Sequence, residues 1–174
     1  MSNSIHAEAI AEAMTSIWMG EVPATLRVLG AVPDANRDYR PDQKSRTAWE
    51  LAVHIATADL WFLDGIQRGV FEFDPEKAKE AEAGFRNVAD VVVFYESNIP
   101  ARLAALKEAG GEKLAENLDF FGMMSMPRAI WIGFANNHSV HHRGQLSAYL
   151  RAMGSKVPDI YGPSGDAEPT PEPV

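Results

Sequence analysis

The sequence TAWELAVHIATADLWFLDGIQRG, residues 47–69, decides the fold class. Thr47 followed three residues later by Glu50 is the capping-box pattern that begins a helix. Apolar residues then occur on almost every side of the helix, until Gly69 supplies a natural terminator. The segment predicts a helix to about Gln67 that is largely buried, and such a helix needs other elements packed around it.

Three other segments repeat apolar residues at helical spacing. They run from about Ser4 to Leu29, from about Asn87 to Ala109 and from about Ser125 to Met153. Pro23 and Pro100 fall inside the first two, where we expect a kink or a break. Residues 71–85 have the composition of a polar linker, and residues 113–121 fit either an extended segment or one helical turn. No convincing strand pattern is present, so the sequence predicts an all-α four-helix bundle with short extra segments.

The end of the chain differs in composition from the rest. Residues 162–174, GPSGDAEPTPEPV, are rich in proline, acidic and nearly without apolar side chains. Such a segment is typical of a flexible tail or a strap over the surface. Because 174 residues suffice for one domain, we expect one helical domain over residues 1–162 and a flexible tail over residues 163–174.

Composition excludes several classes of function. The net charge of −8 and the lack of a basic cluster disfavour nucleic-acid binding, because phosphate contacts require lysine and arginine. The chain has no cysteine, which excludes disulfides, thiolate metal sites and a cysteine nucleophile and fits a reducing cytoplasm. No apolar stretch approaches the roughly 18–20 residues of a membrane span, and the first residues lack a secretory signal pattern. We therefore expect a cytoplasmic protein without nucleic-acid or membrane partners.

Histidines supply the chemistry in the fourth helical segment, which contains NHSVHHRGQL, residues 137–146. His138 and His142 are one turn apart, about 40° from each other around the helix axis. This is the spacing at which a helix presents two ring nitrogens to one metal ion. His141 lies about 60° from His138 on the other side, so spacing alone leaves it as a competitor. A polar helix face without any metal is the simpler explanation of the same pattern.

His54 strengthens the metal hypothesis because it interrupts the most apolar helix. A buried imidazole without partners costs about 1–3 kcal/mol, so this ring needs a hydrogen bond or a metal ion. Its helix face continues through Thr57, Trp61 and Asp64 and is more polar than the other faces. An opposing polar stripe on the fourth helix would place three imidazoles in one pocket. A core histidine bonded to a carbonyl, or a haem held by two histidines, are the alternatives.

Three neutral imidazoles bind zinc, nickel, cobalt, iron or copper well, whereas calcium and magnesium prefer oxygen ligands. Three protein ligands leave one position for water or substrate, which is typical of a catalytic site. We expect a divalent transition metal, with zinc or nickel as first candidates and iron, cobalt or manganese as the others.

The segments YRPDQKSRTAWELAVHIATADLWFLDGI and NHSVHHRGQLSAYLRAMGSKVPDIYG together resemble the DinB/YfiT-like family of metalloenzymes. The resemblance covers residues 5–162, and its most specific parts are the central histidine of the second helix and the H-x-x-H-H-R-G-Q motif. It implies a four-helix bundle with a divalent metal on a histidine triad, often in a homodimer. The triad carries over onto His54, His138 and His142, and in this pattern His141 is not a ligand.

The resemblance also implies a reaction class, with a small-molecule substrate. Related members resemble thiol-dependent S-transferases or isomerases that use a low-molecular-weight thiol as cosubstrate. We therefore expect a metal-dependent transferase of the thiol type, or a metal-dependent hydrolase. The alternative is a non-enzymatic, stress-related helical binding or dimerisation protein with a structural metal or none.

Several neighbours of the histidines have open roles. Asp59 or Glu50 is expected to orient His54, because metal-bound histidines usually donate their other nitrogen to such a group. Arg143 is expected to face solvent or a partner helix, and Tyr149 to line the pocket or pack. Tyr161 is a candidate for folding back over the site. A group of methionines, Met123, Met124 and Met126, is expected in the core or in a dimer contact.

Overall fold

The computed structural model describes residues 2–167, and helices dominate this part of the chain. The elements, in chain order, are α1 (Ser2–Gly30), α2 (Ala48–Arg68), α3 (Pro75–Ala83), α4 (Val88–Lys107), α5 (Gly111–Ala115), β1 (Asn117–Phe120), β2 (Met124–Pro127) and α6 (Arg128–Leu150). Single 3₁₀ turns follow α1 and α6, at Asp34–Asn36 and Arg151–Met153.

The four long helices form the predicted bundle. Helix α1 packs on α4 and α6, and α2 packs on the same two helices, so α1 and α2 lie diagonally opposite each other. Trp18, Tyr95, Ile99 and Trp131 fill the interior with essentially no exposed surface. The prediction of an all-α four-helix bundle is confirmed.

Helix α2 begins and ends as its sequence predicts. The Thr47 hydroxyl oxygen accepts a hydrogen bond from the Glu50 amide at 3.1 Å, and the Glu50 carboxylate accepts one from the Thr47 amide at 2.7 Å. The helix stops at Gly69, whose φ of 84° suits glycine. A Cβ at this position would also meet the Arg128 guanidinium, which donates to the carbonyls of Ile66 and Gln67.

The two internal prolines do not divide their helices. Pro23 lies inside α1 and Pro100 inside α4, and both helices are continuous through them. Each proline frees a carbonyl one turn earlier, at Met19 and Glu96. Both of these residues are exposed, so water can satisfy the freed carbonyl groups.

Two elements differ from the sequence prediction. The segment expected to be a linker contains α3, which the Asp74 side chain caps by accepting from the amides of Glu76 and Lys77. This helix has no buried residue. Apolar residues therefore do not recur in it at helical spacing, and this is why the sequence does not indicate a helix here.

The second difference is an antiparallel hairpin of β1 and β2 in a chain without a convincing strand pattern. Residues 113–121, which fitted either an extended segment or one helical turn, contain both, since α5 ends at Ala115 and β1 follows. Each strand has four residues, which is too short for a clear alternating pattern. Its loop contains Phe121 and Gly122, both with positive φ. Strand β2 includes Ser125, so α6 begins at Arg128, three residues later than predicted.

Part of the predicted tail lies against the surface. Asp166 accepts hydrogen bonds from the Val157 amide at 2.8 Å and from Arg151 at 2.9 Å, and the Ser164 hydroxyl donates to the Val157 carbonyl. These contacts favour the strap over the flexible tail for residues 163–167. The rest of that prediction, residues 168–174, lies outside the described residues. Within residues 2–167, no helix combines the length and the apolar character needed to cross a bilayer.

Candidate metal centre

Three imidazole rings meet between two helices of the bundle. His54 comes from α2, and His138 and His142 come from α6. Each offers one ring nitrogen, and these three nitrogens lie within 4.8 Å of one another. The ring centroids are 5.2 Å apart for His54 and His138, 4.7 Å for His54 and His142, and 4.4 Å for His138 and His142.

A buried polar contact fixes the two helices that carry the histidines. The Ser139 hydroxyl, next to His138, donates to an Asp59 carboxylate oxygen at 2.6 Å. The Tyr95 hydroxyl of α4 donates to the same oxygen at 3.0 Å. Because a buried carboxylate needs such partners, this network resists sliding of α2 along α6 and holds the imidazoles in register.

His142 is oriented by a neighbour on its own helix. Its Nδ1 lies 2.8 Å from the Gln145 side-chain carbonyl oxygen, which only accepts hydrogen bonds. Nδ1 therefore carries the proton of the neutral ring, and Nε2 keeps its lone pair for a metal ion. Gln145 is one turn from His142, a spacing at which side chains on a helix meet.

The surroundings favour neutral imidazoles. Burial, followed by the positive charge of Arg46, lowers the pKa of His54 to about 3. Burial, followed by the charges of the neighbouring histidines, lowers the pKa of His138 to about 4. Burial also lowers the pKa of His142, although its contact with Gln145 opposes the shift. Neutral imidazole is the form that coordinates metals, so the rings are in the binding form at neutral pH.

A ring nitrogen without a hydrogen-bond partner also fits a bound metal ion. Nδ1 of His138 is buried and has no hydrogen-bond partner among residues 2–167. A buried ring nitrogen without a partner is costly, and a metal ion or a proton-donating ligand would remove that cost. The donor set consists of nitrogen alone, which suits divalent transition metals.

An aromatic wall lines one side of the site. The Phe62 ring lies 5.3 Å from the His138 ring and 6.0 Å from Phe134. The wall continues through Phe120 to Trp61 and Phe121, which stack on each other at 6.4 Å. Phe134 and Phe121 are partly exposed, so the wall reaches the protein surface. This apolar side keeps water away from one flank of the histidines.

The two carboxylates that were expected to orient His54 bind other residues. Asp59 binds Ser139 and Tyr95, and Glu50 binds the Thr47 amide, so neither accepts a hydrogen bond from His54. Both expectations were wrong because helix periodicity places these carboxylates only approximately. His141 is exposed and lies outside the group of three. His6 is exposed as well.

The other residues considered as neighbours of the histidines make contacts within the fold or lie on its surface. Arg143 is 2% exposed and pairs with Glu21 of α1 at 2.7 Å, so it faces a partner helix. Tyr161 accepts a hydrogen bond from Arg143 and donates one to Glu21, and this positions it beside Arg143. Tyr149 packs against Tyr39. Met123 and Met124 are exposed on the hairpin, so of the two locations expected for the methionines the core is wrong for these two, and a dimer contact stays a prediction.

Comparison with known sequences identifies the family. The sequence model of the DinB family matches residues 1–172. The chain belongs to the DinB family. Among similar sequences, the uncharacterized protein YjoA of Bacillus subtilis (strain 168) is 30% identical over 119 residues, covering 67% of this chain and 73% of YjoA. The uncharacterized protein YrdA of the same organism is 27% identical over 152 residues, covering 84% of this chain and 85% of YrdA.

Solved DinB-like structures share the architecture. A DinB-like protein from Bacillus cereus ATCC 10987 superposes with a TM-score of 0.70 at 26% identity, covering 86% of this chain and 97% of that chain. The structure of YjoA gives a TM-score of 0.67 at 22% identity and covers 86% of this chain and 98% of YjoA. The bundle of this DinB-family chain is therefore a fold found in solved proteins.

Proposed function

We propose that this DinB-family protein holds a divalent transition-metal ion on His54, His138 and His142 and is a metal-dependent enzyme. The observation that carries the proposal is the convergence of three imidazole nitrogens within 4.8 Å of one another. Imidazole ligands favour zinc, nickel, cobalt, iron or copper over magnesium and calcium. Zinc or nickel is our first choice, with iron, cobalt or manganese as alternatives.

The proposed reaction type follows from the number of ligands. Among residues 2–167, the metal-binding group contains three residues and no carboxylate or fourth histidine. Three protein ligands leave a coordination position open, which is the pattern of catalytic sites, whereas structural zinc sites usually have four protein ligands. An ion with an open position supplies Lewis acidity and lowers the pKa of a bound water or thiol. The proposed activities are therefore hydrolysis, or transfer to a low-molecular-weight thiol.

The residues around the triad have separate roles in this proposal. Gln145 fixes the tautomer and the direction of the His142 ring. Phe62 lies against the His138 ring and restricts its movement. The aromatic wall offers an apolar surface for the carbon skeleton of a small-molecule substrate, and it limits the approach of bulk water.

We expect Gln145→Ala to weaken metal binding by about tenfold, the lower end of the effect of losing such an orienting partner. The Nδ1 proton of His142 would lose its acceptor, so the ring would rotate and change tautomer more freely. Competition with a chromogenic chelator measures the affinity. Ser147→Ala is the control on the same helix, because its hydroxyl bonds to the Gly144 carbonyl and not to a histidine. Equal affinities for Gln145→Ala and the wild type would contradict the role of Gln145.

The metal itself is tested by elemental analysis. Protein purified without a polyhistidine tag, nickel resin or chelator should contain about one transition-metal ion per chain. A content far below one ion, together with failure of zinc, nickel and cobalt to bind in dialysis, would refute the metal-dependent enzyme. The non-enzymatic alternative would then remain.

Cobalt substitution separates the two proposed activities. Addition of 2-mercaptoethanol to the cobalt-loaded protein should produce a thiolate-to-cobalt charge-transfer band if the open position accepts thiols. Unchanged d–d and charge-transfer regions would exclude the thiol transferase and leave the hydrolase.

A further inference from the structure

The two imidazoles that α6 contributes are held in different ways. The His142 ring is oriented by a hydrogen bond to Gln145. The Nδ1 atom of His138 is buried and has no hydrogen-bond partner among residues 2–167. The ring of Phe62 packs against the His138 ring, a contact that is less directional than a hydrogen bond. The position of His138 relative to His54 therefore depends on how the backbone of α6 is attached to α2.

Side-chain hydrogen bonds join α2 to α6 at two places in the part of the chain that the structure describes. At one of them, Arg128 donates to the carbonyls of Ile66 and Gln67. At the other, the Ser139 hydroxyl donates to Asp59 at 2.6 Å. Arg128 is eleven residues before Ser139 and lies about 16 Å from it along the helix axis. The contact of Ser139 with Asp59 is therefore the one at the level of the histidines.

This contact is close to every proposed ligand. Ser139 directly follows His138 and is three residues before His142. Asp59 is five residues after His54, about 7.5 Å farther along α2. A shift of the two helices at this contact therefore moves the α2 imidazole relative to both α6 imidazoles. Metal coordination tolerates little of this movement, because imidazole nitrogens bind zinc at about 2.0–2.1 Å.

The contact is sheltered from water and is supported by a third helix. Asp59 and Tyr95 have 0% exposed surface, and Ser139 has 2%. The Tyr95 hydroxyl of α4 donates to the same carboxylate oxygen, Oδ2, at 3.0 Å. The other oxygen, Oδ1, is buried and has no partner within residues 2–167, so Oδ2 makes both contacts. Because water does not compete for Oδ2, its hydrogen bond to Ser139 is stronger than an exposed one.

We propose that Asp59 and Ser139 are positioning residues of the metal site, and that their hydrogen bond sets the placement of His54 relative to His138 and thereby the affinity for the ion. The inference rests on the proposed function. Neither side chain belongs to the group that could hold the metal, so both act through the ligands. Loss of a group that orients metal ligands lowers metal affinity about 10- to 100-fold.

The test compares the removal of two hydroxyl groups from the same carboxylate oxygen. Ser139→Ala and Tyr95→Phe each remove one donor to Asp59, but only Ser139 is next to a ligand. Chelator competition on the full-length chain measures zinc affinity, and urea unfolding without metal measures stability. We expect Ser139→Ala to bind zinc about tenfold more weakly and to alter the d–d spectrum of bound cobalt, which reports the arrangement of the ligands. Tyr95→Phe should lose stability but keep the zinc affinity and the cobalt spectrum of the wild type.

Two variants of Asp59 separate its hydrogen bond from its charge. Asp59→Asn keeps a side-chain oxygen that accepts from Ser139, so it should bind zinc like the wild type. Asp59→Leu has a similar size but no acceptor, so it should weaken zinc binding as Ser139→Ala does. Equal weakening by Asp59→Asn and Asp59→Leu would assign the effect to charge and overturn the positioning role. This pair also decides the question if circular dichroism shows that Ser139→Ala does not fold.

The outcomes separate this inference from the proposed function. If the wild type binds neither zinc nor cobalt, the metal site is wrong and the positioning role fails with it. If the wild type binds zinc and Ser139→Ala binds it equally tightly with an unchanged cobalt spectrum, the metal site stands and the positioning role is wrong. The positioning role is also wrong if Ser139→Ala and Tyr95→Phe lose affinity to the same extent, because the network would then act only through the stability of the bundle.

Discussion

Replacement of His54 by alanine should leave the purified protein almost free of metal. The variant removes the ligand that α2 contributes and leaves only the two histidines of α6. Loss of a group that merely orients a ligand weakens metal binding about 10- to 100-fold, so loss of a ligand should weaken it by at least about a hundredfold. Metal content by elemental analysis, and affinity by chelator competition, measure the change.

The contrast with His141→Ala makes the experiment specific. His141 lies next to His142 in sequence, but it is exposed and outside the group of three. Its replacement should leave the metal content unchanged. His138→Ala and His142→Ala should behave like His54→Ala, and circular dichroism should show that all four variants remain helical. Retention of a full complement of metal by His54→Ala would contradict the proposed ligand set.

Asp59→Asn should change how the stability of the protein depends on pH. Burial raises the pKa of Asp59 from 3.8 to about 7, while the hydrogen bonds from Ser139 and Tyr95 and the charge of Arg143 oppose the shift. The folded state therefore holds a proton that the unfolded chain releases at much lower pH. The stability contributed by this proton is fully present below pH 3.8 and is lost as the pH rises through about 7.

Between pH 5 and pH 8, the free energy of unfolding of the wild type should fall by about 3 kcal/mol relative to that of Asp59→Asn. Urea unfolding of both proteins across this range, with a chelator present, measures it. The histidines of the unfolded chain take up protons in the same range, but they do so in both proteins, so the difference between the two free energies of unfolding isolates Asp59. Parallel stability profiles for the two proteins would contradict the raised pKa.

The bundle was predictable because its four long helices carry strong signals. The capping box at Thr47 and Glu50 and the apolar positions of α2 depend on local sequence and on burial, and both features are present in the structure. Helix α3 lacks buried residues, and the hairpin strands are four residues long, so periodicity had no signal to detect. The division of the chain at Gly162, the homodimer and the cytoplasmic location stay predictions.

The histidine triad was predictable in part. Two sequence features predicted that these three side chains meet: the spacing of His138 and His142, and the polar His54 in an apolar helix. The orienting partner was missed, although Gln145 is one turn from His142, because sequence spacing does not say which polar neighbour reaches a ring nitrogen.

The histidines that meet between α2 and α6 are distant along the chain, and this has a consequence for biosynthesis. During translation α2 leaves the ribosome long before α6, and one imidazole alone holds a transition metal weakly. The nascent chain therefore cannot sequester an ion in a partial site. If the proposed ion binds, its capture has to follow docking of the last long helix, and occupancy then shifts the folding equilibrium further toward the native state. On that proposal, cells short of the metal would accumulate a less heat-resistant population.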